Sequence, residues 1–236
     1  MARETLLFLP GMLCDARLFG PQLEAFAPQY DVVVGALDSA STISEIATAV
    51  LDAVPNGPLN IAGLSLGGIV AMEIAKLAPQ RLQRLALIDT NHLADTAERV
   101  AIRNTQITKV RSGCLYDVLV EEMKPNYLAQ QHRSDEDLLN LLIDMAMKLG
   151  SEVFLRQSLA LRDRVDQSDG LRSIVVPTLI LCGEEDALCP PARHEAMAKL
   201  IEGAELVSIP CAGHITTLEN PKAVNEALAQ WLKCPV

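Results

Sequence analysis

Ser65 lies in Gly63-Leu64-Ser65-Leu66-Gly67, behind an apolar run and ahead of a helix-forming one. In a strand-to-helix setting such a serine sits on a sharp, strained turn that offers its oxygen as a nucleophile, and the flanking glycines give clearance that side chains would deny. Gly68 adds further room. A helix beginning at the serine aims its first amides at charge developing beside the hydroxyl. The five residues alone fit a glycine-rich turn without chemistry equally well. A serine hydroxyl is a weak nucleophile until a base takes its proton, so an active Ser65 demands a histidine and a group that orients it.

Four histidines are available. His214, in Pro210-Cys-Ala-Gly-His-Ile-Thr-Thr-Leu-Glu219, follows the last apolar run on a loop at the edge where α/β sheets place ligands. His194 falls on a helical stretch after Pro190-Pro191 and reads as a surface or helix-flank residue, and His132 lies in a charged stretch with no role assigned. His92 follows an apolar run ending at Ile88 and is placed to line a pocket. Two carboxylates compete for the orienting role, Asp186 in Gly183-Glu-Glu-Asp186 and Asp89. Asp186 is favoured because its turn is exposed and gives the chain order Ser, Asp, His. An oxyanion hole needs two amides: that of Leu66, after the nucleophile, and that of Met12, in the turn forced by Pro10-Gly11. Leu13 in the same loop, Asn91 beside His92, and Met123 complete the candidate substrate-binding residues.

These residues need a scaffold that brings them to one edge. Apolar runs at Thr5–Leu9, Asp31–Leu37, Leu59–Leu64, Leu85–Ile88, Thr178–Cys182 and Glu205–Ile209 are continuous rather than alternating, as in parallel strands covered on both faces. Helical patterns at Ser44–Val54, Gly68–Leu77, Pro191–Ile201 and Pro221–Leu232 stand between them, which gives an α/β architecture. From Asn91 to Gln167 the rhythm breaks. Helical spacing over Glu98–Val110, Asp135–Leu149 and Glu152–Val165, punctuated by Pro125 and Gly150, reads as an all-helical cap over residues 91–167, with the core formed by 1–90 and 168–236.

Within the insertion, Arg99, Arg103 and Arg111, with Lys109, recur near helical spacing, either as a solvated helix face or as a basic patch for an acidic carrier protein or an anionic acyl tail. Met123, Met145 and Met147 either shape an adaptable acyl pocket or pack between cap helices. The chain of 236 residues has 20 basic and 30 acidic residues, a formal net charge of −10, which argues against nucleic acid or an anionic membrane as main partner. The apolar stretch before Pro10 is too short for a secretory core or a membrane span, so the expected location is cytoplasmic. Six cysteines without a C-x-x-C pair suggest free thiols rather than disulfides or a zinc site.

The segments LLFLPGM, NIAGLSLGGIVAMEIA, RLALIDT, VPTLILCGEEDALCPP and ELVSIPCAGHITTLENPKAVNEALAQWL together resemble the α/β-hydrolase fold superfamily over nearly the whole chain. The resemblance is nearest to small capped enzymes such as the pimeloyl-carrier-protein methyl ester esterase and SHCHC synthase. It implies a three-layer α/β-hydrolase fold with a mainly parallel sheet of about six strands. It also implies Ser65 as nucleophile, His214 as base, Asp186 as acid, the Met12 and Leu66 amides as oxyanion hole, residues 91–167 as lid, and neither metal nor organic cofactor. Where that family usually has His-Gly in the oxyanion loop, this chain has Pro10-Gly11. The implied activity is carboxylic ester hydrolysis through an acyl-enzyme. The rivals are thioester cleavage, a lyase using the triad as base, and a receptor that kept the fold without the chemistry.

Overall fold

The computed structural model describes residues 3–236. Six strands, β1 (Thr5–Leu9), β2 (Asp31–Val34), β3 (Leu59–Leu64), β4 (Leu82–Ile88), β5 (Thr178–Gly183) and β6 (Glu205–Ile209), form one sheet in the order β2-β1-β3-β4-β5-β6. Every neighbouring pair is parallel. All residues of β3 and β5 are buried, whereas the edge strands β2 and β6 are partly open to solvent.

The alternation of side chains along each strand divides the core in two. Leu7, Leu9, Ile61, Leu85, Leu87 and Ile180 point to one face, where they pack with helices α2 (Ile43–Ala53), α3 (Leu66–Leu77) and α8 (Pro191–Leu200). Leu6, Phe8, Leu64, Ile88, Leu179 and Leu181 point to the other, against α1 (Gly20–Phe26) and α10 (Pro221–Trp231). Two helical layers around one sheet result. Caps fix the helix starts: Thr42, Thr96, Asp135 and Asn220 each accept a first-turn amide.

Two strand boundaries differ by three residues from the sequence reading. β2 stops at Val34 rather than Leu37: its last pairing bond runs from the Gly35 N–H to the Phe8 carbonyl, and the next would need an N–H from Pro10, which has none. β4 begins three residues earlier than expected, at Leu82. Its polar Arg84 is buried, bonded to Glu4, Asn60 and the Cys234 carbonyl. α1 was not expected.

Between β4 and β5 the chain is helical: α4 (Ala97–Arg111), α5 (Leu115–Asp117) with a π-helical turn over Val118–Met123, α6 (Glu136–Arg162) and α7 (Ser168–Arg172). α6 comprises the two expected helices, meeting at a break at Gly150, whose φ of 82° is open to glycine. Met145 is fully buried in the core, and Met147 faces solvent. α9 (Thr216–Glu219) follows the His214 loop. Among the described residues no helix is long and apolar enough to cross a membrane.

Candidate active site

Ser65 joins β3 to α3 with φ 54° and ψ −113°, a left-handed conformation that a residue bearing a Cβ rarely takes. Its N–H donates to the Ile88 carbonyl at 2.9 Å, and its carbonyl accepts from the Thr90 hydroxyl at 2.7 Å, so the turn is held from the end of β4. A Cβ at Gly63 would overlap the Gly67 carbonyl, and one at Gly67 would overlap the Leu9 carbonyl. The glycines are therefore clearance for the turn.

The Ser65 hydroxyl lies 2.9 Å from His214 Nε2, and His214 Nδ1 lies 2.8 Å from Asp186 Oδ2. A carboxylate only accepts, so Nδ1 carries the proton and Nε2 is left bare toward the serine. The other Asp186 oxygen accepts the Leu188 and Cys189 amides, each at 2.8 Å. Burial pushes the His214 pKa down, but the charge of Asp186 and its hydrogen bond outweigh burial and hold it above the ordinary value.

Asp89, the rival carboxylate, reaches the loop and not the imidazole. Its oxygens accept from the Gly183 amide at 3.0 Å and from the Thr216 amide and hydroxyl at 3.2 and 2.6 Å. Burial, then the nearby Asp186 charge, raises its pKa. Glu219 accepts from the Gly213 and Ile215 amides on either side of His214 and from Ala129 of the insertion. The His214 amide itself donates to the Tyr127 carbonyl at 2.7 Å. The insertion thus clamps the histidine loop.

His194 corrects the sequence reading. It is 0 % exposed, and its Nε2 accepts the Thr90 amide at 3.0 Å. Burial lowers its pKa to about 4, so it stays neutral and ties α8 to the segment that holds the serine turn.

Met12 borders the same cavity as Ser65 and His214. Leu66 is the first residue of α3, where an amide has no helical partner. Among the described residues, neither the Met12 nor the Leu66 amide enters the loop and turn hydrogen bonds. The loop turns through a bond from the Cys14 amide to the Gly11 carbonyl at 3.1 Å. Leu13, at φ 55°, is buried and does not line the cavity; its amide donates to Gln157 Oε1 at 2.8 Å. Nothing in the sequence marked Gln157, a polar residue buried on a largely apolar helix face.

The cavity over Ser65 measures about 410 Å³ and is bordered by Asn91 and Met123 as expected. His92 does not line it; the ring is buried beside it, with its pKa lowered by burial. Arg103 fits neither reading of the α4 basic residues, a solvated face or a basic patch. Arg103 turns inward and pairs with Asp95 at 2.5 Å, alongside Arg164 on the same carboxylate at 2.6 Å. Arg99 borders the cavity, and Lys109 pairs with Glu122 at 2.6 Å. Asp186, Cys189 and His214 bring ligand-type atoms within 4.8 Å of one another. The carboxylate and imidazole are already bonded to each other, and burial raises the thiol pKa of Cys189.

Fold and serine turn define a class, and the whole-chain comparison agrees: the chain belongs to the alpha/beta hydrolase family, matched over residues 6–227. Among individual proteins, it is 25 % identical over 248 residues to one that carries the name carbamate hydrolase RutD, from Yersinia enterocolitica, spanning 98 % of this chain and 88 % of that one. It is 28 % identical to the pimeloyl-[acyl-carrier protein] methyl ester esterase of Neisseria meningitidis, over 71 % of this chain and 66 % of the relative. A malate-bound thermophilic esterase from Thermogutta terrifontis superposes with a TM-score of 0.90 at 28 % identity, covering 98 % of this chain and 90 % of that one.

Proposed function

We propose that the protein is a serine hydrolase of carboxylic esters. The observation that carries this reading is the continuous chain from Ser65 Oγ through His214 to Asp186, with bonds of 2.9 and 2.8 Å, built on a serine held at positive φ. Ser65 Oγ adds to the ester carbonyl carbon while its proton passes to His214 Nε2. The tetrahedral oxygen is received by the Met12 and Leu66 amides. The carbon–oxygen bond to the alcohol then breaks, and His214 returns the proton to that alcohol. Water, deprotonated by the same imidazole, attacks the acyl-serine, releases the carboxylic acid and restores Ser65. Asp186 keeps the imidazole in the required tautomer and stabilises it when charged. Residues 91–167 serve as the cap that closes the cavity over the serine.

The names of the esterase relatives support an ester substrate, and that of the carbamate hydrolase relative supports acyl hydrolysis more broadly. A carrier-protein partner rests on the name of the Neisseria relative alone, since Arg99, Arg103 and Arg111 do not form one docking face. The lyase reading gains from one observation, the arginines that border the cavity. A panel of p-nitrophenyl esters of rising acyl length, run with wild type and Ser65→Ala, tests the hydrolase reading. Turnover by wild type and its loss in the variant are expected. Full rate in the variant, or no turnover of any ester, overturns it. Labelling of Ser65 by a fluorophosphonate separates an activated nucleophile from a lyase base or a receptor.

A further inference from the structure

In a chain of net charge −10, the cavity over Ser65 is bordered by four arginines, Arg99, Arg103, Arg164 and Arg193, and by only two carboxylates, Asp95 and Glu122. Asp95 is consumed by Arg103 and Arg164 at 2.5 and 2.6 Å. Glu122 is matched by Lys109 at 2.6 Å. Among the described residues Arg99 and Arg193 therefore have no carboxylate partner. They reach the cavity from different walls, Arg99 from α4 in the insertion and Arg193 from the first turn of α8 in the core.

Solvated arginines on a convex surface would need no ligand. Here two exposed guanidinium groups without a carboxylate border one concavity in which Asp95 already has to balance two arginines, so its lining is net positive, and a concave site of one sign concentrates counter-charge. The planar guanidinium fork matches a carboxylate with paired, charge-assisted bonds. We infer that the substrate is a half-ester, an ester whose acyl chain ends in a free carboxylate, and that Arg99 and Arg193 hold that carboxylate. This rests on the reading of Ser65 as nucleophile. A volume of about 410 Å³ suits a short dicarboxylic acyl chain.

The test compares p-nitrophenyl hydrogen glutarate with p-nitrophenyl valerate, acyl chains of equal length that differ in charge. Wild type is expected to favour the charged ester in kcat/KM by about tenfold or more, and Arg99→Met and Arg193→Met each to cut that ratio about tenfold, chiefly through KM. A wild-type ratio at or below one, or a ratio that neither variant changes, overturns the inference while leaving ester hydrolysis intact. If neither ester turns over, the hydrolase reading fails instead. Calorimetry with glutarate then decides the subsite by itself: binding lost in both variants upholds it, and no binding to wild type overturns it.

Discussion

The Leu13 amide donates to Gln157 Oε1 at 2.8 Å, joining the loop after the first strand to a helix 144 positions later. The other end of the same side chain donates from Nε2 to the Leu37 carbonyl at 2.9 Å. One buried amide thus ties Leu13, in its left-handed conformation next to Met12, to the segment after β2. Gln157→Leu leaves a buried donor and a buried acceptor without partners, each worth about 1–3 kcal/mol. Urea unfolding should show that loss. In steady-state ester hydrolysis kcat should fall more than KM rises if the Met12 amide serves the proposed oxyanion hole, because its displacement then weakens the transition state rather than substrate binding.

Asp186 holds the His214 pKa above its ordinary value against burial, and in the proposed reaction the proton acceptor is neutral imidazole. Activity should therefore climb with pH through a midpoint above about 6.5. Asp186→Asn removes both the charge and the tautomer control, so kcat should drop by about 10⁴ and the midpoint should move down. Asp89→Asn keeps the imidazole's partner and disturbs only the Gly183 and Thr216 bonds, so its loss should be far smaller. Equal losses in the two pH–rate profiles would contradict this division of labour.

His194 makes a separate pH prediction, on stability. Its folded pKa is about 4, below the roughly 6.5 of an unfolded histidine, so between those values the unfolded chain binds the extra proton. Its contribution is complete above about pH 6.5 and fades as pH falls toward 4, by on the order of 3 kcal/mol. His194→Gln keeps an acceptor for the Thr90 amide without a titrating ring. The gap between urea midpoints at pH 7 and pH 4.5 should be narrower in the variant than in wild type.

The central strands were readable because a parallel strand covered on both faces is largely apolar, and β1 and β3 match their expected limits; the edge strand β6 matches its limits too, although it is partly open to solvent. β4 hid its start because Arg84 is polar yet buried, satisfied by Glu4 and Asn60, which lie far away in sequence. Ser65, Asp186 and His214 were readable because each follows a strand at the same sheet edge, and the structure brings them within hydrogen-bonding distance. His194 and Gln157 were not, because their partners are the backbone amides of Thr90 and Leu13, and any residue type carries an amide. Arg103 misled for a related reason. Its spacing with Arg99 and Arg111 suggests one face, but the buried carboxylate of Asp95 draws it inward.

That carboxylate carries the last prediction. Asp95 bridges Arg103 and Arg164, and all three side chains are at most 10 % exposed. Removing the centre of such a triad strands two cations in a poorly solvated site, so Asp95→Ala should cost about 3–5 kcal/mol. Arg103→Met alone leaves the Asp95–Arg164 pair intact and should cost less. Combining Asp95→Ala with Arg103→Met leaves one stranded cation instead of two, so the double variant should be more stable than Asp95→Ala alone. A double-mutant cycle by thermal or urea unfolding measures this directly, and simple additivity of the two losses would show that the three charges do not act as a unit.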